Sequence, residues 1–155
     1  MMGMIYTASI AQVPVSAIQD LFEITAPSDA VVVLHSCYIG QDTEEADAAA
    51  EMLPVNITRY VDSGGNGSTL TPAPHDTGYA AAGSTVEANN LTQGSGTTTI
   101  VLSDAFNVQV GWQYRPSPEE RIVISPSKRL AIELPVAPAD AMTVSAAITF
   151  EEIGG

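Results

Sequence analysis

The chain predicts an all-β fold: a single antiparallel β-sandwich, jelly-roll-like, carrying one long Gly/Ser/Thr/Pro-rich loop. Three observations lead there. In 105-AFNVQVGWQYR, residues Phe106, Val108, Val110, Trp112 and Tyr114 fall on one side, and Asn107, Gln109, Gly111, Gln113 and Arg115 on the other. In 142-MTVSAAITFEE, Met142, Val144, Ala146, Ile148 and Phe150 alternate in the same way with Thr143, Ser145, Ala147, Thr149 and Glu151. A period of two is the mark of a strand with one buried and one wet face, and such strands belong to antiparallel sheets. The third observation is the spacing of short strand-like runs between turns of Pro, Gly, Ser and Asp.

In chain order, strands are expected at about 4–13 and 17–25, separated by Val13-Pro14-Val15, because proline is tolerated only at an edge or a turn. The turn 26-APSDA launches 31-VVVLHSCYIG. Strict alternation there puts Val31, Val33, His35, Cys37 and Ile39 on one face and Val32, Leu34, Ser36 and Tyr38 on the other. Both faces are largely apolar, so this strand is expected at the centre of its sheet. The acidic, alanine-rich 41-QDTEEADAAAE lacks an apolar stripe and reads as a loop, and 52-MLPVNITRYV reads as a strand. Residues 62–98 contain few large apolar residues: Leu70, Tyr79, Val86 and Leu91. Such a length without structure is either functional or loose, so it is expected to be a surface loop or an arm reaching a neighbouring subunit, with one short strand near 84–88. Strands return at about 98–103, 106–115, 121–125, 129–134 and 141–151. Residues 1–155 form one domain, large enough to bury a core without staples.

Charge sets the partners. Eighteen acidic residues against five basic ones give a net charge of −13. Nucleic acid and anionic membrane surfaces are disfavoured by that balance. The longest apolar runs fall far short of the roughly 20 residues of a membrane helix. No basic segment precedes an apolar core at the N-terminus, so no signal peptide is read and synthesis in a cytoplasm is expected. Cys37 is the single cysteine, which rules out an intrachain disulfide. The Asn56, Asn66 and Asn90 sequons are read as chance matches.

No residue pattern points to catalysis, a metal or a cofactor, and none of the three is expected. His35 and Cys37 share a face in the alternating reading, but in an apolar strand a thiol is inert packing. His75-Asp76 offers two metal ligands where a site needs more. The carboxylates Asp42, Glu44, Glu45, Asp47 and Glu51 suit calcium by type but lack a glycine-turned loop. The candidate interaction residues are Leu70, His75 and Tyr79 in the long loop, and the basic group Arg115, Arg121, Lys128 and Arg129. That group either pairs with Glu119, Glu120 and Glu133 or contacts an acidic patch of a like subunit.

Several stretches carry a resemblance: 20-DLFEITAPSDAVVVLHSCYIGQ, 84-STVEANN, 104-DAFNVQVGWQYRPSPEERIVISPSKRLAIELP and 138-PADAMTVSAAITFEEIGG. Together they resemble small virion-associated proteins of tailed bacteriophages and prophages, across nearly the whole chain. The resemblance implies a virion structural protein. The form expected is an acidic capsid decoration (cement) protein, a homo-oligomer with a trimer favoured, bound to the outside of the major capsid protein lattice. A tail, neck or fibre protein is the structural alternative. A carbohydrate-binding module is another, with Tyr60, Tyr79, Trp112 and Tyr114 as candidate aromatics. A glycan hydrolase ranks last.

Overall fold

The computed structural model describes residues 3–42, 51–60 and 64–154. They form two six-stranded antiparallel sheets arranged as a sandwich, with no α-helix among them. The strands are β1 (Met4–Val15), β2 (Gln19–Thr25), β3 (Ala30–Gln41), β4 (Met52–Tyr60), β5 (Asn66–Leu70), β6 (Ala73–Pro74), β7 (Thr85–Thr92), β8 (Thr98–Asn107), β9 (Trp112–Tyr114), β10 (Ile122–Ile124), β11 (Arg129–Leu134) and β12 (Met142–Gly154). The first sheet runs β10-β3-β12-β1-β6, with β9 also on the outer edge of β3, and the second runs β5-β7-β2-β11-β4-β8. One core lies between them, built from Tyr6, Leu21, Phe22, Leu34, Leu53, Ile57, Leu130, Ile148 and Phe150 among others.

The alternation of the last strand is realised without a break: Met142, Val144, Ala146, Ile148 and Phe150 are buried and their neighbours half-exposed. The same phase carries Glu152 inward. Its carboxylate, 5% exposed, accepts the backbone N–H groups of Gly83 (3.1 Å) and Ser84 (2.7 Å), tying the start of β7 to the first sheet.

Four expectations need correction. First, 106–115 is not one strand. The run starts as the end of β8 in the second sheet, turns, and resumes as β9 in the first. Asn107 makes the corner: its carbonyl accepts N–H from Val110 and Gly111, and its side chain accepts from Gln109. Gly111 has φ +83°, and a Cβ there would lie 2.6 Å from the Ile39 carbonyl oxygen, so only glycine fits. Phe106, Val108 and Trp112 are buried, but Val110 is 85% exposed.

Second, β3 changes phase midway. Thr149 pairs with Ser36 while Phe150 pairs with Leu34, so one residue is inserted. A bulge of this kind exchanges the faces beyond it. Val32 and Leu34 point inward before it, Cys37 and Ile39 after it. His35 and Cys37 are thereby separated. Cys37 is in the core, where burial pushes its thiol up. His35 lies half-exposed, 2.9 Å from a Glu151 oxygen. The central placement expected for this strand holds, with β12 on one side and β9 and β10 on the other.

Third, the stretch expected as a long loop at 62–98 holds β5, β6 and β7 (residues 62 and 63 lie outside the described set). β7 is an eight-residue strand between β5 and β2, with Val86 and Ala88 in the core. Small and polar residues concealed it: Val86 and Ala88 are its core-facing side chains, and Asn90 sits against Gly65 and Gly67. Fourth, Pro14 lies inside β1 rather than dividing two strands. It pairs only with Thr143 of β12, since β6 covers β1 at Tyr6 and Thr7 alone, so its missing N–H faces no partner strand.

Candidate functional site

The bulge in β3 and the two short strands on its edge build an exposed polar groove. β9 ends at Tyr114 and β10 begins at Ile122, and both pair with β3. The connection between them carries Pro116 and a single 3₁₀ turn, Pro118–Glu120, whose Glu120 accepts from the Ser117 hydroxyl (3.1 Å). Arg115 and Arg121 therefore leave and re-enter the sheet at the same edge. With His35, Ser36, Tyr38 and Thr149 they line a groove of about 430 Å³ on the outer face of the first sheet. The Arg115 guanidinium stands 6.0 Å over the Tyr38 ring. Arg121 Nε is buried and has no hydrogen-bond partner.

The four basic candidates are not one island. Arg115 and Arg121 face outward from the first sheet, whereas Arg129 lies on the outer face of the second, 3.9 Å from Glu23. Lys128 sits in the turn before β11, where its N–H donates to the Ser125 carbonyl. The expected pairing partner Glu133 is taken by Thr58 Oγ1 (2.8 Å) and Gln93 Nε2 (2.8 Å).

Leu70, His75 and Tyr79 serve the chain's own packing. Leu70 pairs with Val86 in β5 and packs on the core. The His75 N–H donates to the Ile5 carbonyl, and its ring Nε2 lies 2.7 Å from Thr7 Oγ1. Tyr79 tilts against Tyr6, ring centroids 6.3 Å apart. Of the other aromatics, Tyr60 and Trp112 are buried. Trp112 stacks on Tyr114 (6.3 Å, 18°) and donates to Asp104 Oδ2 (3.1 Å), a bond that holds the Asp104 carboxyl below its ordinary range. These two rings edge a cleft of about 320 Å³ between β8 and β9.

Sequence reasoning missed a covered layer of carboxylates on the outer face of the second sheet. Register aligns Asn90, Asp20, Glu133 and Asn56 in one row across β7, β2, β11 and β4. Asp20 Oδ1 accepts from Gln93 Nε2 (3.1 Å) and Tyr60 OH (3.4 Å), and Glu23 Oε2 accepts from the Gly65 N–H (2.6 Å). Oδ2 of Asp20 and Oδ1 of Asn56 and Asn90 are buried without partners. Burial, helped by Glu133 and Glu23, raises the Asp20 carboxyl to about 7. Burial also raises Glu23 and Tyr60. The available signal was two acids three residues apart in 19-QDLFEIT, a spacing that strict alternation puts on opposite faces; the one-residue bulge at Leu21 brings both to the outer face. No group of three His, Cys, Asp or Glu among the described residues is arranged to hold a metal ion. Glu44, Glu45 and Asp47 of the acidic run, which suits calcium by type but was not expected to bind it, lie outside the described residues.

No family model, no curated protein and no solved structure matches the chain.

Proposed function

We propose that the chain is a structural component of a phage particle, a capsid decoration protein that binds the outside of the major capsid protein lattice as a homo-oligomer. The observation that carries this reading is β8. It is a ten-residue strand at the edge of the second sheet, hydrogen-bonded among the described residues only to β4, and seven of its residues are exposed. Ile100 and Val101 are 56% and 41% exposed. Its sequence, Thr98 to Asn107, contains neither Lys nor Pro, and its one charged residue, Asp104, is tied to Trp112 Nε1. A free monomer blunts such an edge with charge or proline, whereas a symmetric assembly covers it. One bulge at Val101 is its sole local irregularity. The resemblance of the quoted stretches to virion-associated proteins supports the same reading.

The test is quantitative mass spectrometry of gradient-purified particles, digested with a Glu- or Asp-directed protease because no Lys or Arg precedes Arg59. A copy number in fixed ratio to the major capsid protein is expected. A much lower copy number assigns the chain to neck, tail or fibre. Absence from particles overturns the structural reading.

A further inference from the structure

The groove on the outer face of the first sheet holds an unmet demand for an anion. On a chain with 18 acids and five bases, an arginine has carboxylates to spare as partners. Yet among the described residues neither the Arg115 nor the Arg121 guanidinium has a carboxylate within ion-pair distance; the recorded pairs join His35 to Glu151 and Arg129 to Glu23. Glu120, one residue from Arg121, is turned to the Ser117 hydroxyl instead. The Arg121 Nε–H is buried with nothing to donate to, a condition that is costly unless a ligand supplies the acceptor. Arg115 is exposed, its guanidinium 6.0 Å from the Tyr38 ring centre, so its fork of N–H donors is open to a ligand.

The surroundings select the ligand class. Ser36, Thr149 and His35 bring hydroxyls and an imidazole to the same groove. Tyr38, 37% exposed, forms a ridge beyond which a second shallow trough of about 420 Å³ continues past Gly40, Gly111 and Gln113. A long open trough with scattered polar groups and one aromatic ridge suits a chain of polyhydroxylated rings, not a compact metabolite. Each guanidinium fork lining the groove matches the two oxygens of a carboxylate. An acidic protein is the weaker fit, because a net charge of −13 repels a large polyanion over the whole approach. A short saccharide with one carboxylate per ring carries far fewer charges into that field, so it is repelled less.

We propose that Arg115 and Arg121 form a binding site for the carboxylate of an acidic saccharide, with Tyr38 and the hydroxyls of Ser36 and Thr149 receiving the sugar ring. The site belongs to the isolated chain and stands or falls independently of any place in a particle.

Isothermal titration of the purified protein with tetragalacturonate, and separately with a sialylated trisaccharide, tests it. Saturable binding of at least one is expected. Methyl esterification of the carboxylates abolishes it. Arg115→Ala and Arg121→Ala each weaken it roughly tenfold, the loss of one charge-assisted pair of hydrogen bonds. Arg115→Lys with Arg121→Lys keeps the charge but not the fork, and weakens binding without altering the far-UV spectrum. No binding of either sugar at millimolar concentration overturns the proposal, as does undiminished affinity in the double alanine variant. Tighter, Arg-dependent binding of hexaglutamate overturns it in favour of an acidic protein partner.

Discussion

Asp20 and Glu152 are both buried acids, and their surroundings assign them opposite roles. Glu152 is fully used: two backbone N–H groups point at its two oxygens. Glu152→Ala leaves the Ser84 N–H buried and unpaired while that of the exposed Gly83 can turn to water, so a destabilisation of about 2 kcal/mol is expected in urea titrations, with Glu152→Gln losing less because one amide oxygen still accepts. Asp20 has one oxygen without a partner and Glu133 and Glu23 beside it. Its carboxyl rises from 3.8 to about 7 on folding, mainly through burial. The folded state therefore binds the proton more tightly than the unfolded chain. Its contribution favours folding below about 4, declines as pH rises from about 4 to about 7, and is an unfavourable constant above that. Asp20→Asn keeps an acceptor for Gln93 and Tyr60 and carries no charge. The stability difference between Asp20→Asn and the parent is expected to grow across that window, reaching roughly 2–4 kcal/mol in favour of the variant at pH 8. A difference that stays flat with pH would show that Asp20 ionises normally in the fold.

At the scale of elements, the middle stretch changes what truncation should do. Deleting residues 64–96 removes β5, β6 and β7, takes Val86 and Ala88 from the core, and strips the edge of β2 that carries Asp20 and Glu23. Each buried aliphatic side chain contributes about 1.5–3 kcal/mol, against a net stability of about 5–15 kcal/mol for a whole domain. The deletion variant is thus expected to lose its cooperative thermal transition; a sharp two-state melt near that of the full chain would place these strands outside the folding unit. Most of the sheet was legible in the sequence where alternation and turn residues agree, as in β2, β4, β11 and β12. It failed at β3 and at 106–115, because a one-residue bulge and a sheet-switching corner preserve local periodicity while reversing or breaking its meaning. β7 was mostly hidden because its outward neighbours are Glu87 and Asn90 under a strap of glycines, not apolar residues. For the candidate site, the sequence singled out Arg115 and Arg121 as basic but joined them to Lys128 and Arg129; only the register of β9 and β10 on β3 separates the two pairs. Tyr38 and Ser36 were invisible as groove residues until the bulge turned them outward.

For the whole molecule, association sets an apolar edge against a large like charge. Copies that meet through β8 bring together chains of −13 each. Ile100 and Val101 supply the favourable part through apolar area and the free backbone of the strand, and that part depends little on salt. The repulsion depends on it strongly: the Debye length grows from about 8 Å at physiological ionic strength to about 30 Å at 0.01 M. On the assembly reading, lowering the salt lengthens the reach of every carboxylate without strengthening the edge, so oligomers and particle-bound copies should dissociate at low ionic strength. Sedimentation velocity in 0.15 M and 0.01 M NaCl measures this directly. Ile100→Lys with Val101→Lys should sediment as a folded monomer at both salts, because two cations on the edge oppose strand pairing while burying nothing new. If the parent is monomeric at both salts, or if the double variant associates as the parent does, β8 is not the surface through which copies meet.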